Sequence, residues 1–377
     1  MKYDFIIVGA GLAGATCARL LTDKGYKCLI IEERPFVAGN CATDRQYNID
    51  IHVMGSHVFY TNDDDVWMFI NDKANWLPYY HKVNLYNNGK LYHLPFDLNL
   101  LYDVYGKSFP HEVKPLYEQD KQEFDKITNL KEFAISKLGK KIYEEVIKDF
   151  STKLWGKTPE ELPYNLISNI PLNFDSFNYN YYNAKYQGIP EEGYTQMVEN
   201  IIADDIPIML NTNFLLNKDK YIKLANNIIY TGELDRFFNY CIGELSWRSI
   251  NFIIKDESNH TSSLIGTPVL NFADTKLNWH RIIEHKWFTP ERLNDEVFKN
   301  HTIVTYECGE KWEQGKEAFY PILTNQSINL YKRYCDKLRT NYPNVFLCGR
   351  KAEYKLYNMS DTIKSAIELC DNWEFKK

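Results

Sequence analysis

Residues 9–40 read GAGLAGATCARLLTDKGYKCLIIEERPFVAGN and directly follow an apolar run at residues 3–8. Within this stretch Gly9, Gly11 and Gly14 form the pattern GxGxxG between a predicted strand and a predicted helix, the context that this motif requires. The first glycine allows a tight turn, the second lets the backbone approach a pyrophosphate, and the third allows close packing of the helix. The N-terminus of the helix then offers amide donors to the phosphates. The stretch predicts a dinucleotide site, and a glycine-rich turn in an unrelated α/β protein is the alternative.

The same stretch predicts one complete βαβ unit. Gly25 ends a helix that runs to about Thr22, and the apolar residues 28–31 form a second strand. Glu32 ends that strand, where an acidic side chain can hold the hydroxyl groups of a ribose. These residues alone do not separate FAD from NAD.

Two later stretches favour FAD. NIIYTG at 227–232 is an apolar strand that ends in Thr-Gly, and VFLCGR at 345–350 is another that precedes a candidate helix near Asp361. FAD is often held by such a late strand and helix, whose N-terminus faces the isoalloxazine ring. Because the chain has no second GxGxxG for a nicotinamide cofactor, a hydride donor would come from outside. The dinucleotide domain is therefore expected to be discontinuous, with other segments inserted.

Composition narrows the class of protein. The 377 residues carry a net charge of −6 with no long positive run, which gives no sign of nucleic-acid binding. The eight cysteines form no CxxC pair, so neither a metal site nor a thiol redox couple is predicted, and reduced thiols in the cytoplasm are expected. No uncharged apolar stretch is long enough to cross a bilayer.

The pattern of apolar and charged residues changes in the middle of the chain. Between about Glu112 and Lys153 apolar residues recur at helical spacing among charged ones, which indicates a helical insertion. Prolines and many Asn and Tyr residues interrupt any helix between roughly 160 and 190, so loops and short strands are predicted there.

Seven further stretches occur in an order that resembles the bacterial UDP-galactopyranose mutase family. They are IHVMGSHVFYTN (51–62), STKLWGKTPEELP (151–163), YQGIPEEGYT (186–195), WRSINF (247–252), RIIEHKWF (281–288), FYPI (319–322) and GRKAEYKLYNM (349–359). The resemblance implies a mixed α/β fold, with a Rossmann-like FAD-binding domain, an inserted helical domain and an antiparallel β-sheet domain. It also implies an isomerase that interconverts the pyranose and furanose forms of a nucleotide sugar with no net redox change. Reduced flavin N5 would form the sugar adduct, so the organic chemistry would be that of the cofactor.

The resemblance also implies domain limits and partners. The FAD domain would comprise residues 1–78, 191–243 and 318–377, the helical domain 100–160, and the sheet domain 79–99, 161–190 and 244–317. The implied partners are a nucleotide sugar and an external reductant such as NAD(P)H, and a homodimer is expected from the family. The furanose product would serve cell-surface polysaccharide synthesis in a bacterial cytoplasm.

Site residues follow from matching positions and fall into three groups. His57, Arg248 and Arg281 are the implied catalytic residues. The implied cofactor-binding residues are Gly9, Gly11, Gly14, Glu32, Glu33, Gly39, Asn40, His57, Thr231, Gly232, Gly349, Arg350 and Met359. The implied substrate-binding residues are Phe150, Ser151, Trp155, Tyr186, Arg248, Arg281, Tyr320, Tyr357 and Asn358. A buried structural histidine, a surface arginine or a core aromatic is the alternative for each side chain of those types.

Four positions depart from the family pattern, and all are expected near the substrate. Tyr60 stands where the family has histidine, Asn173 where it has a mobile-loop arginine, and Leu356 and Asn358 where it has tyrosine and aspartate. Lys185 is a candidate to compensate for the missing arginine charge. Because the flavin motifs are kept, these changes indicate intact flavin chemistry on an altered sugar or nucleotide.

Three functional hypotheses remain open from the sequence. The first is a mutase for UDP-galactopyranose, or a sibling enzyme for UDP-N-acetylgalactosamine or dTDP-fucose. The second is an FAD-dependent oxidoreductase with net electron transfer. The third is a flavin-binding paralogue that has lost catalysis.

Overall fold

The computed structural model describes residues 2–107, 109–167, 172–178 and 180–373. The strands are β1 (Tyr3–Val8), β2 (Cys28–Ile31), β3 (Thr43–Gln46), β4 (Ile49–His52), β5 (Phe59–Thr61), β6 (Trp76–Pro78), β7 (Val83–Asn87), β8 (Lys90–Leu94), β9 (Phe96–Asp97), β10 (Leu172–Asn173), β11 (Tyr186–Pro190), β12 (Ile208–Met209), β13 (Ala225–Tyr230), β14 (Trp247–Asp256), β15 (Val269–Phe272), β16 (Arg281–Glu284), β17 (Ile303–Lys311), β18 (Tyr320–Pro321) and β19 (Val345–Leu347). The α-helices are α1 (Leu12–Asp23), α2 (Asp64–Ile70), α3 (Leu98–Tyr105), α4 (Pro110–Asp120), α5 (Leu130–Leu138), α6 (Lys140–Ile142), α7 (Lys148–Trp155), α8 (Gly193–Ile202), α9 (Lys218–Ile222), α10 (Leu234–Phe237), α11 (Glu296–Asn300), α12 (Asn325–Asn341) and α13 (Met359–Asp371).

A five-stranded parallel sheet forms the dinucleotide-binding half of the molecule. Its strand order is β12-β2-β1-β13-β19, so two strands from late in the chain lie beside the first strand. The central strands are buried on both faces because helices cover them, which explains their nearly continuous apolar sequence. Helices α1, α8 and α13 pack on one face. The predicted βαβ unit and the discontinuous sheet are confirmed.

A seven-stranded sheet forms the second half. Its order is β18-β14-β17-β16-β15-β7-β8, and its neighbouring strands are antiparallel except for the parallel pair β15–β7. Helices α3 to α7 bury a separate apolar core against β7–β9. The mixed α/β fold with a Rossmann-like domain, inserted helices and a largely antiparallel sheet is therefore confirmed.

The proposed domain limits differ from the strand pairing at two places. Residues 320–321 were placed in the FAD domain, but Tyr320 pairs with Arg248 in the seven-stranded sheet. Strand β11 was placed in the sheet domain, but it pairs with β5 and β6 in a separate three-stranded sheet. The rest of the three-domain division stays a proposal.

Two further features bear on the class of protein. In the part of the chain that the structure describes, every helix is too short or too polar to cross a lipid bilayer. Over the same residues, no cluster of three or more His, Cys, Asp or Glu side chains could hold a metal ion.

Candidate active site

A cavity of about 350 Å³ opens at the carboxyl ends of β1, β2, β13 and β19. Ligands of open α/β sheets bind at this edge, where the strand order reverses. The cavity continues to the seven-stranded sheet, which contributes Arg281, Glu307 and Tyr320 to its wall. One cavity therefore joins the predicted dinucleotide residues to predicted substrate residues.

The glycine turn forms the floor of the cavity. Gly9 has φ +105°, and a Cβ there would lie 2.2 Å from Thr231 Oγ1. A Cβ at Gly14 would lie 1.9 Å from the carbonyl oxygen of Gly9, so only glycine lets α1 pack against the turn. Gly9 and Gly11 line the cavity, whereas Gly14 acts through this packing and does not line it.

Glu32 holds the turn from the end of β2. Its Oε2 accepts a hydrogen bond of 2.7 Å from the N–H of Ala10, and its Oε1 accepts one of 2.8 Å from the N–H of Arg34. The carboxylate is buried at the cavity wall. Each oxygen keeps a lone pair that a ribose hydroxyl could donate to.

The other implied cofactor-binding residues also meet at this cavity. Glu33 accepts two hydrogen bonds, of 2.9 and 3.0 Å, from Arg236, and this bidentate ion pair lies at the exposed rim of the cavity. The rest of the set lines the wall: Gly39, Asn40, His57, Thr231, Gly232, Gly349, Arg350 and Met359. Because α1 begins at Leu12 and α13 at Met359, the first turns of two helices also face the cavity.

His57 is a neutral ring with a defined tautomer. Its Nδ1 lies 2.8 Å from the carbonyl oxygen of Gly55, which can only accept, so Nδ1 carries the proton. Burial, helped by the charge of Arg350, lowers the pKa of His57 to about 4. At neutral pH the ring is therefore neutral with an unprotonated Nε2, and the residue lines the cavity.

Arg281 brings a half-buried positive charge to the cavity. Its Nε donates to Asn271 Oδ1 at 2.8 Å and its Nη1 donates to Glu307 Oε2 at 3.1 Å. The charge of Glu307 raises the pKa of Arg281 against the effect of burial. Arg350 lies nearby and donates through Nε to the carbonyl oxygen of Tyr357 at 2.7 Å. Two guanidinium groups against one carboxylate leave this end of the cavity positive, which suits a diphosphate.

Tyr320 lies between Arg350 and the helical region. The guanidinium carbon of Arg350 is 5.5 Å from the Tyr320 ring centroid, a cation–π contact. The Trp155 ring, from α7, lies 5.8 Å from the same ring. Phe150 contacts His280 at 6.2 Å, and Ser151 is buried in the same helix. These α7 residues flank the site without lining the cavity itself.

Arg248 lies outside the cavity, although it was implied to be catalytic. Its Nε donates to the carbonyl oxygen of Leu154 at 2.5 Å, and its Nη2 donates to that of Lys153 at 3.0 Å. These are carbonyls at the C-terminus of α7, which a cation stabilises. In the structure, Arg248 therefore connects β14 to the C-terminus of α7 by side-chain hydrogen bonds.

Two implied substrate tyrosines also lie away from the cavity. The Tyr186 hydroxyl donates to Asp64 at 3.0 Å, and its ring stacks on Trp67 at 4.7 Å. The Tyr357 hydroxyl contacts Glu353, while its backbone carbonyl holds Arg350. A tyrosine that the sequence reasoning missed, Tyr182, lines the cavity instead.

Two of the four departures from the family pattern contact each other. Asn358 Nδ2 donates to the Tyr60 hydroxyl at 3.2 Å, and both residues line the cavity. The Tyr60 ring stacks on Tyr182 at 3.8 Å. Asn358 Oδ1 meanwhile accepts from the N–H of Asp361 as the N-cap of α13, which forces the amide NH2 toward Tyr60. The Tyr60 hydroxyl thus accepts from Asn358 and keeps its own proton to donate into the cavity.

The other departures lie elsewhere. Asn173 is in β10, beside β9, and its Nδ2 donates to Ser176 Oγ at 3.0 Å. Leu356 is half-buried outside the cavity lining. Lys185, the candidate compensating charge, pairs with Asp64 at 2.6 Å on the surface.

Several cavity residues were missed, and their signals differ. Residues 212–215 follow β12, a strand of the same sheet, at the edge where ligands of such sheets bind. Glu307 had an indirect signal, because its buried carboxylate needs a cationic partner and Arg281 was already a predicted site residue. Lys351 contacts Glu233 and Glu317, three positions far apart in the chain that no local pattern connects.

These residues fit a dinucleotide cofactor. Glycines without Cβ line the turn, free first-turn N–H groups of α1 face the phosphate position, and a buried carboxylate lies at the ribose position. The positive end beyond them provides room for a second, anionic ligand.

Comparisons with family models and with known proteins agree on one family. The family model described as UDP-galactopyranose mutase matches residues 145–356, and that of an NAD(P)-binding Rossmann-like domain matches residues 7–72. A probable UDP-galactopyranose mutase of Klebsiella pneumoniae is 30% identical, with 98% of this chain and 94% of that protein covered. The dTDP-fucopyranose mutase of Escherichia coli is 28% identical, with 96% of each chain covered.

A solved structure agrees in fold. The crystal structure of a reduced UDP-galactopyranose mutase superposes with a TM-score of 0.76 at 13% identity, covering 99% of this chain and 94% of that chain. At this identity the likeness concerns the fold alone.

Proposed function

The chain belongs to the UDP-galactopyranose mutase family and is an isomerase that interconverts nucleotide-sugar pyranose and furanose forms; from this premise we propose FAD, active when reduced, as its cofactor and UDP-galactopyranose as its substrate. The observation that supports the proposal is the single cavity that joins the glycine turn to Arg281, Tyr320 and His57. A binding site of this kind can hold a cofactor and a substrate in contact.

The cofactor proposal assigns each part of FAD to a different region of the cavity. The N–H groups at the start of α1 would bind the pyrophosphate and Glu32 the adenosine ribose. The start of α13 and His57 would border the isoalloxazine end. A reduced flavin, when bound, supplies a nucleophilic nitrogen for the anomeric carbon of the sugar.

The protein's own residues would position the sugar and bind the leaving diphosphate. Arg281 has three guanidinium N–H donors beyond the two used by Asn271 and Glu307, and they can bind phosphate oxygens. Arg350 adds a second charge, and Tyr320, whose ring contacts Arg350, adds a hydroxyl. Because these donors are held before substrate arrives, they would stabilise the diphosphate as it departs. We propose that Phe150 and Trp155 of α7 flank the nucleotide base.

Glutamine at position 32 is expected to weaken FAD binding by between about fivefold and a hundredfold. The amide NH2 of Glu32→Gln would face an N–H of Ala10 or Arg34, so one of two buried hydrogen bonds would be lost, at about 1–3 kcal/mol. The dissociation constant of FAD, from titration of the apoprotein by flavin fluorescence, measures the effect. Glu368→Gln, at an exposed position, is the matched control; equal affinity in the two variants would contradict the assignment of Glu32.

The Tyr60–Asn358 pair is proposed to set the sugar specificity. Tyr60→Phe removes the hydroxyl, and Asn358→Asp turns that hydroxyl away from the ligand because a carboxylate accepts its proton. Each change is expected to lower kcat/KM about tenfold for the natural substrate. Since both remove the same donor, the double variant should lose little more than either single one.

A double-mutant cycle on the reduced enzyme checks this pair. Additive losses, about a hundredfold in the double variant, would show that Tyr60 does not donate to the ligand. The substitution pair Tyr60→His and Asn358→Asp restores the family pattern. If the natural sugar is not galactose, this variant is expected to shift the ratio of kcat/KM values toward UDP-galactopyranose.

The sugar itself is tested with a panel. The dithionite-reduced protein is incubated anaerobically with UDP-galactofuranose, UDP-N-acetylgalactosamine and dTDP-fucose, and ring form is followed by chromatography and NMR. Conversion of the galactose compound with the highest kcat/KM supports the proposal. Preference for dTDP-fucose would instead align this chain with its Escherichia coli relative, a dTDP-fucopyranose mutase.

The competing function is an FAD-dependent oxidoreductase. It predicts stoichiometric substrate oxidation with release of peroxide in air. A mutase predicts turnover only after reduction of the flavin, without peroxide, and an external reductant such as NAD(P)H would supply those electrons. A role in cell-surface polysaccharide synthesis, a cytoplasmic location and a homodimer stay predictions of the family resemblance.

A further inference from the structure

Three histidines from separate elements form a directed chain of hydrogen bonds behind the cavity. The backbone N–H of His57 donates to His52 Nδ1 at 3.0 Å, and the backbone N–H of His52 donates to His285 Nδ1 at 3.2 Å. His285 Nε2 lies 2.7 Å from Thr305 Oγ1. His52 ends β4 and His285 follows β16, so the chain runs from the large sheet to the cavity wall.

The geometry fixes the tautomer of each ring. A backbone N–H only donates, so Nδ1 of His52 and of His285 must accept and their protons lie on Nε2. His57 is the opposite tautomer, with its proton on Nδ1 toward the Gly55 carbonyl. Burial lowers the pKa of His52 well below its ordinary value and that of His285 to about 3, so both rings are neutral at pH 7.

The backbone of His57 is held on both sides. Its N–H is bound by His52, and its carbonyl oxygen accepts a hydrogen bond of 3.2 Å from the Tyr194 hydroxyl. The His52 ring is itself fixed, because it stacks on Phe288 at 4.6 Å and meets the Tyr194 ring edge-on at 5.7 Å. His52 and Tyr194 are almost fully buried, so solvent does not compete for these bonds.

We infer that His52 and Tyr194 are positioning residues: by fixing the backbone of His57 they keep its ring on the Gly55 carbonyl and present an unprotonated Nε2 to the ligand in the cavity. His285 and Thr305 support them by fixing His52. The inference rests on the proposed function only in making His57 part of the active site. The tautomers and their cause are properties of the folded chain alone.

The consequence is a hydrogen-bond acceptor of fixed direction at the cavity wall. An N–H or O–H group of a bound flavin or sugar can donate to this Nε2, whereas a freely rotating or protonated ring would offer a donor part of the time. Loss of either support is therefore expected to affect the turnover step more than the binding of FAD.

Nitrogen-15 NMR of histidine-labelled protein at pH 7 tests the inference directly. Long-range proton–nitrogen spectra distinguish the two neutral tautomers, and single His→Asn variants assign the signals. The expected pattern is proton on Nε2 for His52 and His285 and proton on Nδ1 for His57. Tyr194→Phe, which deletes one hydroxyl, and His52→Leu, which deletes the acceptor, should each give mixed tautomers at His57.

Kinetics of the same variants give the second readout. We expect kcat to fall three- to tenfold in Tyr194→Phe and at least tenfold in His52→Leu, with KM and FAD affinity changed less than threefold. His260→Asn, at an exposed position, is the matched control and should equal the unmodified protein. Should His52→Leu fail to fold, Tyr194→Phe decides, because the change is too small to unfold the protein.

Two results would overturn the inference. A single Nδ1–H tautomer at His57 with unchanged kcat in Tyr194→Phe would show that the backbone bonds do not position the ring. The other tautomer in the unmodified protein would show that the ring faces the opposite way. Failure of the proposed function has a different signature, namely no sugar conversion with the stated tautomers intact.

Discussion

Methionine in place of Arg281 is expected to lower kcat/KM of the reduced enzyme about a thousandfold, equivalent to about 4 kcal/mol. The side chain is a half-buried cation of the cavity, and the change removes its charge and its three remaining N–H donors for a diphosphate. Charge-assisted hydrogen bonds contribute about 1.5–3 kcal/mol each. Steady-state rates of sugar conversion after dithionite reduction measure the loss.

Two controls separate binding chemistry from folding in this experiment. Arg281→Lys keeps the charge but not the planar fork, so a loss between tenfold and a hundredfold is expected. Arg339→Met makes the same substitution at a site about three-quarters exposed and should leave kcat/KM unchanged. FAD content and Tm are recorded because Glu307 loses its partner. A loss below tenfold in Arg281→Met with normal FAD content would remove this residue from the proposed diphosphate site.

The second large effect is acid destabilisation, with a fall of roughly 4 kcal/mol in the free energy of unfolding between pH 7 and pH 5. Burial lowers the pKa of His57 to about 4 and of His81 and His285 to about 3, and it also lowers that of His52. Below pH 6.5 these rings take up protons only in the unfolded chain, so stability is lost as the pH falls. Each ring contributes about 1–2 kcal/mol over this window.

Raised carboxylate pKa values oppose this effect. Burial raises the pKa of Asp235 to about 6 and also raises that of Asp97, so the folded chain binds protons there as the pH falls and gains stability. These four rings, together with His280, whose pKa burial also lowers, outnumber the two carboxylates, so the loss of stability as the pH falls is the larger effect. Urea denaturation at pH 7, 6 and 5 measures the free energy. His81→Phe removes one ring and should flatten the pH dependence by at most about 1.4 kcal/mol per pH unit; a stability independent of pH would contradict the neutral buried rings.

Local pattern was sufficient for the dinucleotide half of the molecule. The glycine spacing requires close approach at the turn, and Gly14 lies against the Gly9 carbonyl while Gly9 lies against the Thr231 side chain. The second strand is the predicted Cys28–Ile31, and α1 ends at Asp23, one residue beyond the predicted end. Late strands could be assigned to the same sheet because buried parallel strands are almost wholly apolar.

Pattern failed where contacts join distant segments. Arg248 donates to carbonyl oxygens 94 and 95 positions earlier in the chain, and no residue near WRSINF predicts that contact. Tyr186 matches the family position but stacks on Trp67, whereas Tyr182 lines the cavity, and no local pattern within this run of tyrosines distinguishes the two. The Tyr60–Asn358 contact spans almost 300 positions, so two departures looked independent although they form one hydrogen-bonded pair.

The helical region shows a smaller difference of the same origin. A helical insertion was predicted from about Glu112, but helices begin at Leu98 and continue to Trp155. The π-helical turn Tyr143–Ile147 between α6 and α7 has no signal in helical periodicity. Its side chains Tyr143, Val146 and Ile147 are buried in the core of this region, so tertiary packing selects the wider turn.

The strand order β12-β2-β1-β13-β19 has a consequence for synthesis on the ribosome. The glycine turn emerges first, yet its neighbours β13 and β19 and the covering helix α13 are translated some two hundred or more residues later. A nascent chain therefore carries an incomplete nucleotide fold through most of its elongation, with the apolar faces of β1 and α1 uncovered. Binding of the proposed FAD is therefore expected only after the last helix docks, because a chain that ends before Met359 lacks the wall that α13 gives the cavity.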